Sequence, residues 1–258
     1  MNIAVCIKQV PDVDDIKWTK ENNLDRSQML SKINKHDEWA LDWALSARAK
    51  FKDAKVTAIS MGPKPAADIL NRALAKGCDR AILLCDKLFA ASDTLATSKI
   101  LANAISKYIP DFNIVITGQM AADGDTAQVP VSLAQILNIV DITNASEIVN
   151  ADKNIVIVKQ KLGDKINIFE ANTPCLIAIK EECPEKFIPK INDYIRAQNI
   201  NIEEYSFNDL DLSKNDVGII GSPTVVYKAF RPIINKNTVE IQTNSADTLL
   251  DLLKKVKN

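Results

Sequence analysis

Short runs of branched aliphatic residues, alternating with longer stretches that carry apolar residues at helical spacing, dominate the first half of this chain. Residues 2–10, 55–61, 80–85 and 113–117 are rich in Val, Ile and Leu, and each gives way to polar, Gly or Pro residues. Such runs, apolar on both faces, suit strands covered on both sides, as parallel strands are. Between them, residues 37–50 place Trp39, Ala40, Trp43, Ala44 and Ala47 on a helical period, and residues 65–75 and 94–108 follow the same pattern. Strands joined through helices run parallel, by right-handed crossovers. The expected fold is therefore α/β, a doubly wound, mostly parallel sheet with helices on both faces.

After Ile139 the pattern changes. Residues 141–149, 154–161 and 175–179 read as strands without intervening helices, extending the sheet or adding an antiparallel flap. From Pro184 the chain is polar and punctuated by proline until a final helical pattern over residues 246–257. This divides the chain into a nucleotide-binding α/β part, residues 1–183, and an extended arm, residues 184–258, without a core of its own.

Charge and residue inventory remove many functions. Lys plus Arg (32) nearly cancels Asp plus Glu (33), so no global field draws the chain to nucleic acid or anionic lipid. The five cysteines include no CxxC pair, which argues against zinc and iron–sulfur sites. His36 is the only histidine, so catalytic triads and two-histidine metal sites lack a second member. No GxGxxG and no Walker lysine loop is present. The N-terminal residues lack the basic flank and long apolar region of a signal peptide, and no run approaches the ~18 apolar residues of a membrane span. A cytoplasmic protein with reduced core thiols is expected.

In an open parallel sheet, ligands gather beyond the carboxyl ends of the strands, where helix N-termini present free N–H groups. The loops to expect there are residues 9–15, 60–64, 86–97 and 118–129. The last, from Gly118 through Gln119, Met120, Asp123, Gly124, Asp125, Thr126, Ala127 and Gln128 to Val129, follows an apolar strand and precedes a helix. Its backbone amides suit phosphates, although Gly-Asp-Thr is also ordinary capping chemistry. Asp93 or Ser92 caps the helix at residue 94, and Thr94 and Thr97, three apart, share one face of it, where both hydroxyls could meet one ligand. His36 sits just before a helix, either as a solvated loop residue or at a ligand rim.

In order and spacing, Val5-Cys6-Ile7-Lys8-Gln9-Val10-Pro11-Asp12, Ile33-Asn34, Ser60-Met61-Gly62-Pro63, the turn over residues 75–81, residues 93–98 and the segment 123–129 resemble the beta subunit of an electron transfer flavoprotein. Asp-Gly-Asp-Thr-Ala-Gln-Val is the most specific motif, and the likeness covers most of residues 1–200. The resemblance implies an adenine nucleotide alpha hydrolase-like fold and a heterodimer with an alpha subunit that carries its own FAD. It also implies a second nucleotide in this chain: AMP in ordinary members, or FAD reduced by NADH in flavin-bifurcating ones. Carried over by position, the nucleotide contacts fall at Cys6, at Asn34, Lys35, His36 and Asp37, at Met61, and across residues 118–129. Asp93, Thr94 and Thr97 resemble the bifurcating form, which points to FAD.

The same resemblance implies that electrons pass to a ferredoxin or flavodoxin and, through the alpha subunit, to an acyl-CoA or 2-hydroxy acid dehydrogenase, with no side chain here acting as a catalytic acid or base. Residues 184–197 resemble the family's partner-recognition loop, with Ile191 as the exposed apolar anchor supported by Phe187, Ile188 and Tyr194. The four-residue spacing of Ile191 and Ile195 alternatively suits the buried face of a short core helix. Two segments depart from the family pattern: Lys161-Leu162-Gly163-Asp164-Lys165 replaces a charged run followed by two glycines, and Pro184-Glu185-Lys186 replaces the Pro-Arg that opens the loop.

Overall fold

The computed structural model describes residues 1–12, 31–50, 53–225 and 246–256; residues 13–15 of the first loop and residue 257 of the last helical pattern lie outside them. Among the described residues the strands are β1 (Asn2–Cys6), β2 (Gln9–Pro11), β3 (Ser31–Ile33), β4 (Lys55–Met61), β5 (Arg80–Leu84), β6 (Ile114–Gly118), β7 (Val140–Ala151), β8 (Ile155–Leu162), β9 (Lys165–Asn172), β10 (Cys175–Ile179) and β11 (Glu203–Tyr205). The helices are α1 (Lys35–Lys50), α2 (Ala67–Lys76), α3 (Thr94–Tyr108), α4 (Gln128–Leu137), α5 (Ile191–Gln198) and α6 (Ala246–Val256).

Nine strands form one sheet in the order β11-β5-β4-β1-β6-β10-β7-β8-β9. Pairing is parallel from β11 to β7, and antiparallel only in β7-β8 and β8-β9. The α/β, mostly parallel expectation is therefore met. Side chains alternate across the strands and build two cores. Ile3, Val5, Val56, Ala58 and Ile116 pack with Leu41 and Leu45 of α1 and Leu70 and Leu74 of α2 on one face. Ala4, Ile59, Ile82 and Val115 pack with Ile100, Leu101 and Ile105 of α3 and Leu133 of α4 on the other.

Local chemistry explains the boundaries. Pro63 leads into a short 3-10 turn at Lys64–Ala66 before α2, and Gly77, at φ 130°, ends that helix in a conformation unfavourable for any side chain. Asp93 caps α3, its carboxylate accepting from the Leu95 and Ala96 amides.

The apolar run over residues 2–10, expected as one strand, is split. The Ile7 amide still donates to Ile59, but the Lys8 amide donates to the Asp37 carboxylate at 2.8 Å, and β2 then pairs with β3 in a separate antiparallel ribbon. A side chain has captured the amide that would have continued the ladder. Beyond residue 184, β11 joins the sheet beside β5, and Leu210 and Val217 bury themselves in the α3/α4 core. α5 does form, but Ile191 is 80% exposed and Ile195 55%, so the core-helix alternative does not describe it; Ala197 is the buried residue.

No helix among the described residues is long and apolar enough to cross a membrane.

Candidate nucleotide site

From β1 the chain steps outward through β4 to β5, then returns to place β6 on the other flank of β1 and β10 beyond it. Such a reversal leaves a crevice at the carboxyl ends of the two central strands. A cavity of about 210 Å³ lies there. That is several times the ~30 Å³ share of a water, so it has room for a ring system. Cys6, Met61, Thr117 and Gly118 come from the strand ends, Thr97 and Leu101 from α3, and Val129 and Pro130 from α4.

The hinge of the site is Asp37, in the first turn of α1. Its carboxylate accepts from the Lys8 amide at 2.8 Å and the Gly118 amide at 3.2 Å, tying the ends of β1 and β6 to one helix. Burial pushes this carboxyl up to about 7, against the pull of Asn34, the two amides and the Lys8 charge. Burial also pushes the Cys6 thiol up, and the Asp37 carboxylate adds to it; Cys6 is a neutral packing surface, not a nucleophile. Asn34, fully buried, donates to Met120 O at 2.8 Å and accepts from the Ala122 amide at 3.1 Å, which fixes the loop after β6.

That loop curls on itself before α4. The Gly124 and Asp125 amides both turn back to Ala121 O. Asp125 and Ala127 sit in the left-handed region at φ 47° and 53°. The amides of Thr126, Ala127, Gln128 and Val129 donate to no group among the described residues. Pro130 stands in the first turn, where a missing N–H costs nothing. Four free amides at the start of a helix form an anion cradle. Asp125 is not part of it, because it spends its amide inside the turn.

Of the residues expected from sequence, Cys6, Asp37, Met61, Thr97, Gly118, Gln119, Met120, Thr126, Ala127, Gln128 and Val129 line the cavity together. Others stand around it. Lys35 reaches over the Trp39 ring, 5.0 Å from its centroid. His36 lies against the same ring at 5.1 Å, its Nδ1 buried without a hydrogen-bond partner. Burial holds the His36 imidazole below its usual range, with Lys35 and Lys180 adding to this and the Met120 backbone opposing it.

Asp123 pairs with Lys8 at 2.8 Å near the mouth, and Gly124 has open space where a Cβ would stand. Thr94 Oγ1 donates to Gln128 Oε1 at 2.8 Å, joining the starts of α3 and α4. Asp93 caps α3 with one oxygen and with the other accepts from the Thr224 amide and hydroxyl. Leu101 and Thr117 also line the cavity without having been singled out from the sequence, as do Ser92, expected only as a cap, and Lys8, expected only as part of the first motif. Thr117 closes the run of β6 and Lys8 follows β1 by two residues, and only the strand order brings them together.

The cavity suits a nucleotide on two structural grounds. The Thr117 hydroxyl is buried in its floor without a hydrogen-bond partner, and the free amides of residues 126–129 offer a seat for phosphate at its side.

Residues 23–210 match the family model described as the electron transfer flavoprotein domain. The chain is 40% identical over 235 residues to "Electron transfer flavoprotein subunit beta" of Thermoanaerobacterium thermosaccharolyticum, covering 90% of this chain and 88% of that one. It is 38% identical over 242 residues to "Protein FixA" of Azorhizobium caulinodans, covering 90% and 85%. It is 34% identical over 233 residues to "Caffeyl-CoA reductase-Etf complex subunit CarD" of Acetobacterium woodii, covering 90% and 88%.

Proposed function

The chain belongs to the electron transfer flavoprotein family, among its beta subunits, and on that footing we propose that it forms a heterodimer with an alpha subunit and holds FAD in the crevice between β1 and β6. The observation that carries FAD is the reach of the cavity. It runs from the free amides at the start of α4 to Ser92 and Thr97 at the start of α3, so two helix N-termini face one crevice. A single phosphate uses the free amides of α4; the start of α3, whose Leu95 and Ala96 amides are held by Asp93, offers the uncommitted Thr97 hydroxyl to a longer ligand. AMP is the second reading. It is favoured by the engagement of Asp93 and Thr94 within the protein, which leaves Thr97 as the uncommitted hydroxyl of that pair of threonines.

FAD, when bound, supplies the redox chemistry, taking a hydride from NADH and passing electrons on singly. The chain's own residues bind and orient. Thr126–Val129 amides hold phosphate oxygens, Asp37 and Asn34 fix the loop that carries them, and Cys6, Met61 and Leu101 exclude water from the floor. The electron acceptors proposed for such a complex are the alpha subunit with its FAD, serving a partner dehydrogenase, and a low-potential ferredoxin or flavodoxin. The name of the Acetobacterium relative joins that protein to a caffeyl-CoA reductase, which supports an acyl-CoA enzyme over a 2-hydroxy acid dehydrogenase as partner here. Residues 184–258 serve as the recognition loop and an arm that wraps the alpha subunit, and the complex works in the cytoplasm.

Purification of the chain with its alpha subunit tests the reading. Two flavins per heterodimer, one of them bleached by NADH without oxygen, is the expected result. One flavin with one AMP replaces FAD by the second reading, and no flavin at all overturns an electron-transfer role.

A further inference from the structure

Thr117 closes the apolar run of β6 with a side chain that a purely apolar floor would not use. It is 4% exposed and lines the cavity, and its Oγ1 has no hydrogen-bond partner among the described residues, including the Cys6 thiol in register beside it. Valine has the same shape and favours strands equally, so a buried hydroxyl left unmatched here is a cost without a return inside the fold. The return has to come from what enters the cavity.

The surroundings select the part of a ligand that reaches it. Met61, Leu101, Val129 and the neutral Cys6 thiol form an apolar slot, and the Asp37 carboxylate stands on the same rim. A phosphate is unwelcome there and has free amides available at the start of α4. An aliphatic group fits the slot but leaves the hydroxyl unmatched. A flat heteroaromatic ring satisfies both, giving its faces to Met61 and the aliphatic side chains and a polar edge to the hydroxyl.

We propose that Thr117 is a ligand-contacting residue, its hydroxyl hydrogen-bonded to the polar edge of a purine base seated in the slot between Cys6, Met61 and Leu101. This rests on the adenine-nucleotide reading of the crevice and adds to it a residue that recognises the base.

The test uses the full chain freed of nucleotide, with AMP as the probe because the AMP moiety is common to both proposed occupants. Calorimetric titration and chemical unfolding are run on the wild type, Thr117→Val and Thr117→Ser. Valine is expected to weaken AMP about tenfold, the worth of one hydrogen bond made only with ligand, while leaving the midpoint of the nucleotide-free protein unchanged or raised. Serine, which keeps the hydroxyl, is expected to stay within about threefold of wild type. Equal AMP affinity for wild type and the valine variant overturns the assignment and leaves the nucleotide reading standing. A lower unfolding midpoint for nucleotide-free Thr117→Val also overturns it, because the hydroxyl then serves the fold. A wild-type chain that binds no AMP overturns the adenine-nucleotide reading itself.

Discussion

A Cβ at Gly118 would stand 2.2 Å from Asp37 Oδ1 and 2.8 Å from the Asp37 backbone nitrogen. The end of β6 and the start of α1 therefore meet at a distance that only glycine allows. Gly118→Ala should force the two apart at a cost of roughly 1–3 kcal/mol of stability and disorder the cradle that follows. Chemical unfolding together with the bound-nucleotide content measures both effects. An unchanged pair of values would show that the contact is slack.

Asp37 should make stability depend on pH. Its carboxyl is raised by burial from 3.8 to about 7 in the folded protein, so the folded state binds this proton more tightly than the unfolded chain does. The contribution is fully present below about pH 4 and is lost as pH rises to about 7, with a slope approaching ~1.4 kcal/mol per pH unit. Asp37→Asn removes the titration and should flatten that part of the profile, while weakening one of the two amide contacts. Urea midpoints across the window decide the matter; a variant that keeps the wild-type slope would assign the titration to another group.

Gly124 plays a different part from Gly118. No protein atom lies within 4 Å of where its Cβ would be, so Gly124→Val should leave the nucleotide-free fold within about 0.5 kcal/mol of wild type. If a ligand's phosphates press close to this backbone, the same change should empty the site. Retained full occupancy would move the phosphates elsewhere along the loop.

Thr97 lines the cavity, whereas Thr94 spends its hydroxyl on Gln128. Thr97→Val should weaken FAD by roughly 1–3 kcal/mol and AMP hardly at all. Adding Thr94→Val should lower thermal stability as well, since it cuts the tie between α3 and α4. Equal weakening of both ligands by Thr97→Val alone would give that threonine to the nucleotide's common half.

Ile191, Ile188 and Tyr194 are all exposed, Ile191 at 80%. The segment is anchored beneath them. Trp43 Nε1 donates to Glu181 O, Ser46 Oγ bonds to the Glu185 carboxylate, and Arg196 donates to Leu74 O. Ile191→Ala should then leave stability within about 0.5 kcal/mol while slowing electron delivery to the partner dehydrogenase. Normal turnover with the partner would remove Ile191 from the interface.

The sequence was most readable where burial sets the pattern. The runs at 55–61 and 175–179 are observed with the same bounds, because strands buried on both faces admit little but aliphatic residues. β9 escaped because Ile166 and Ile168 alternate with polar residues on a largely exposed hairpin; its signal was the Gly163-Asp164 turn between two alternating runs. β11 escaped for the opposite reason. Glu203-Glu204-Tyr205 has no apolar pattern, and it is held by the double contact of Arg80 with Glu203 and by the stacking of Tyr205 on Tyr108 at 3.7 Å. In the site, the loop over residues 118–129 was visible as a glycine- and aspartate-rich break after a strand. Asp37 was named from the resemblance as a nucleotide contact, but its structural part stayed hidden, since nothing local reveals that its carboxylate will meet the amides of residues 8 and 118.

The carboxylate of Asp93 deserves to be viewed as a shared clasp. One oxygen holds the first turn of α3 and the other holds the amide and hydroxyl of Thr224. A pull on Thr224 is thus a pull on the start of α3, 131 residues earlier in the chain. Whatever moves Thr224 therefore has a handle, two bonds long, on the first turn of α3, beside Ser92 and Thr97 of the crevice.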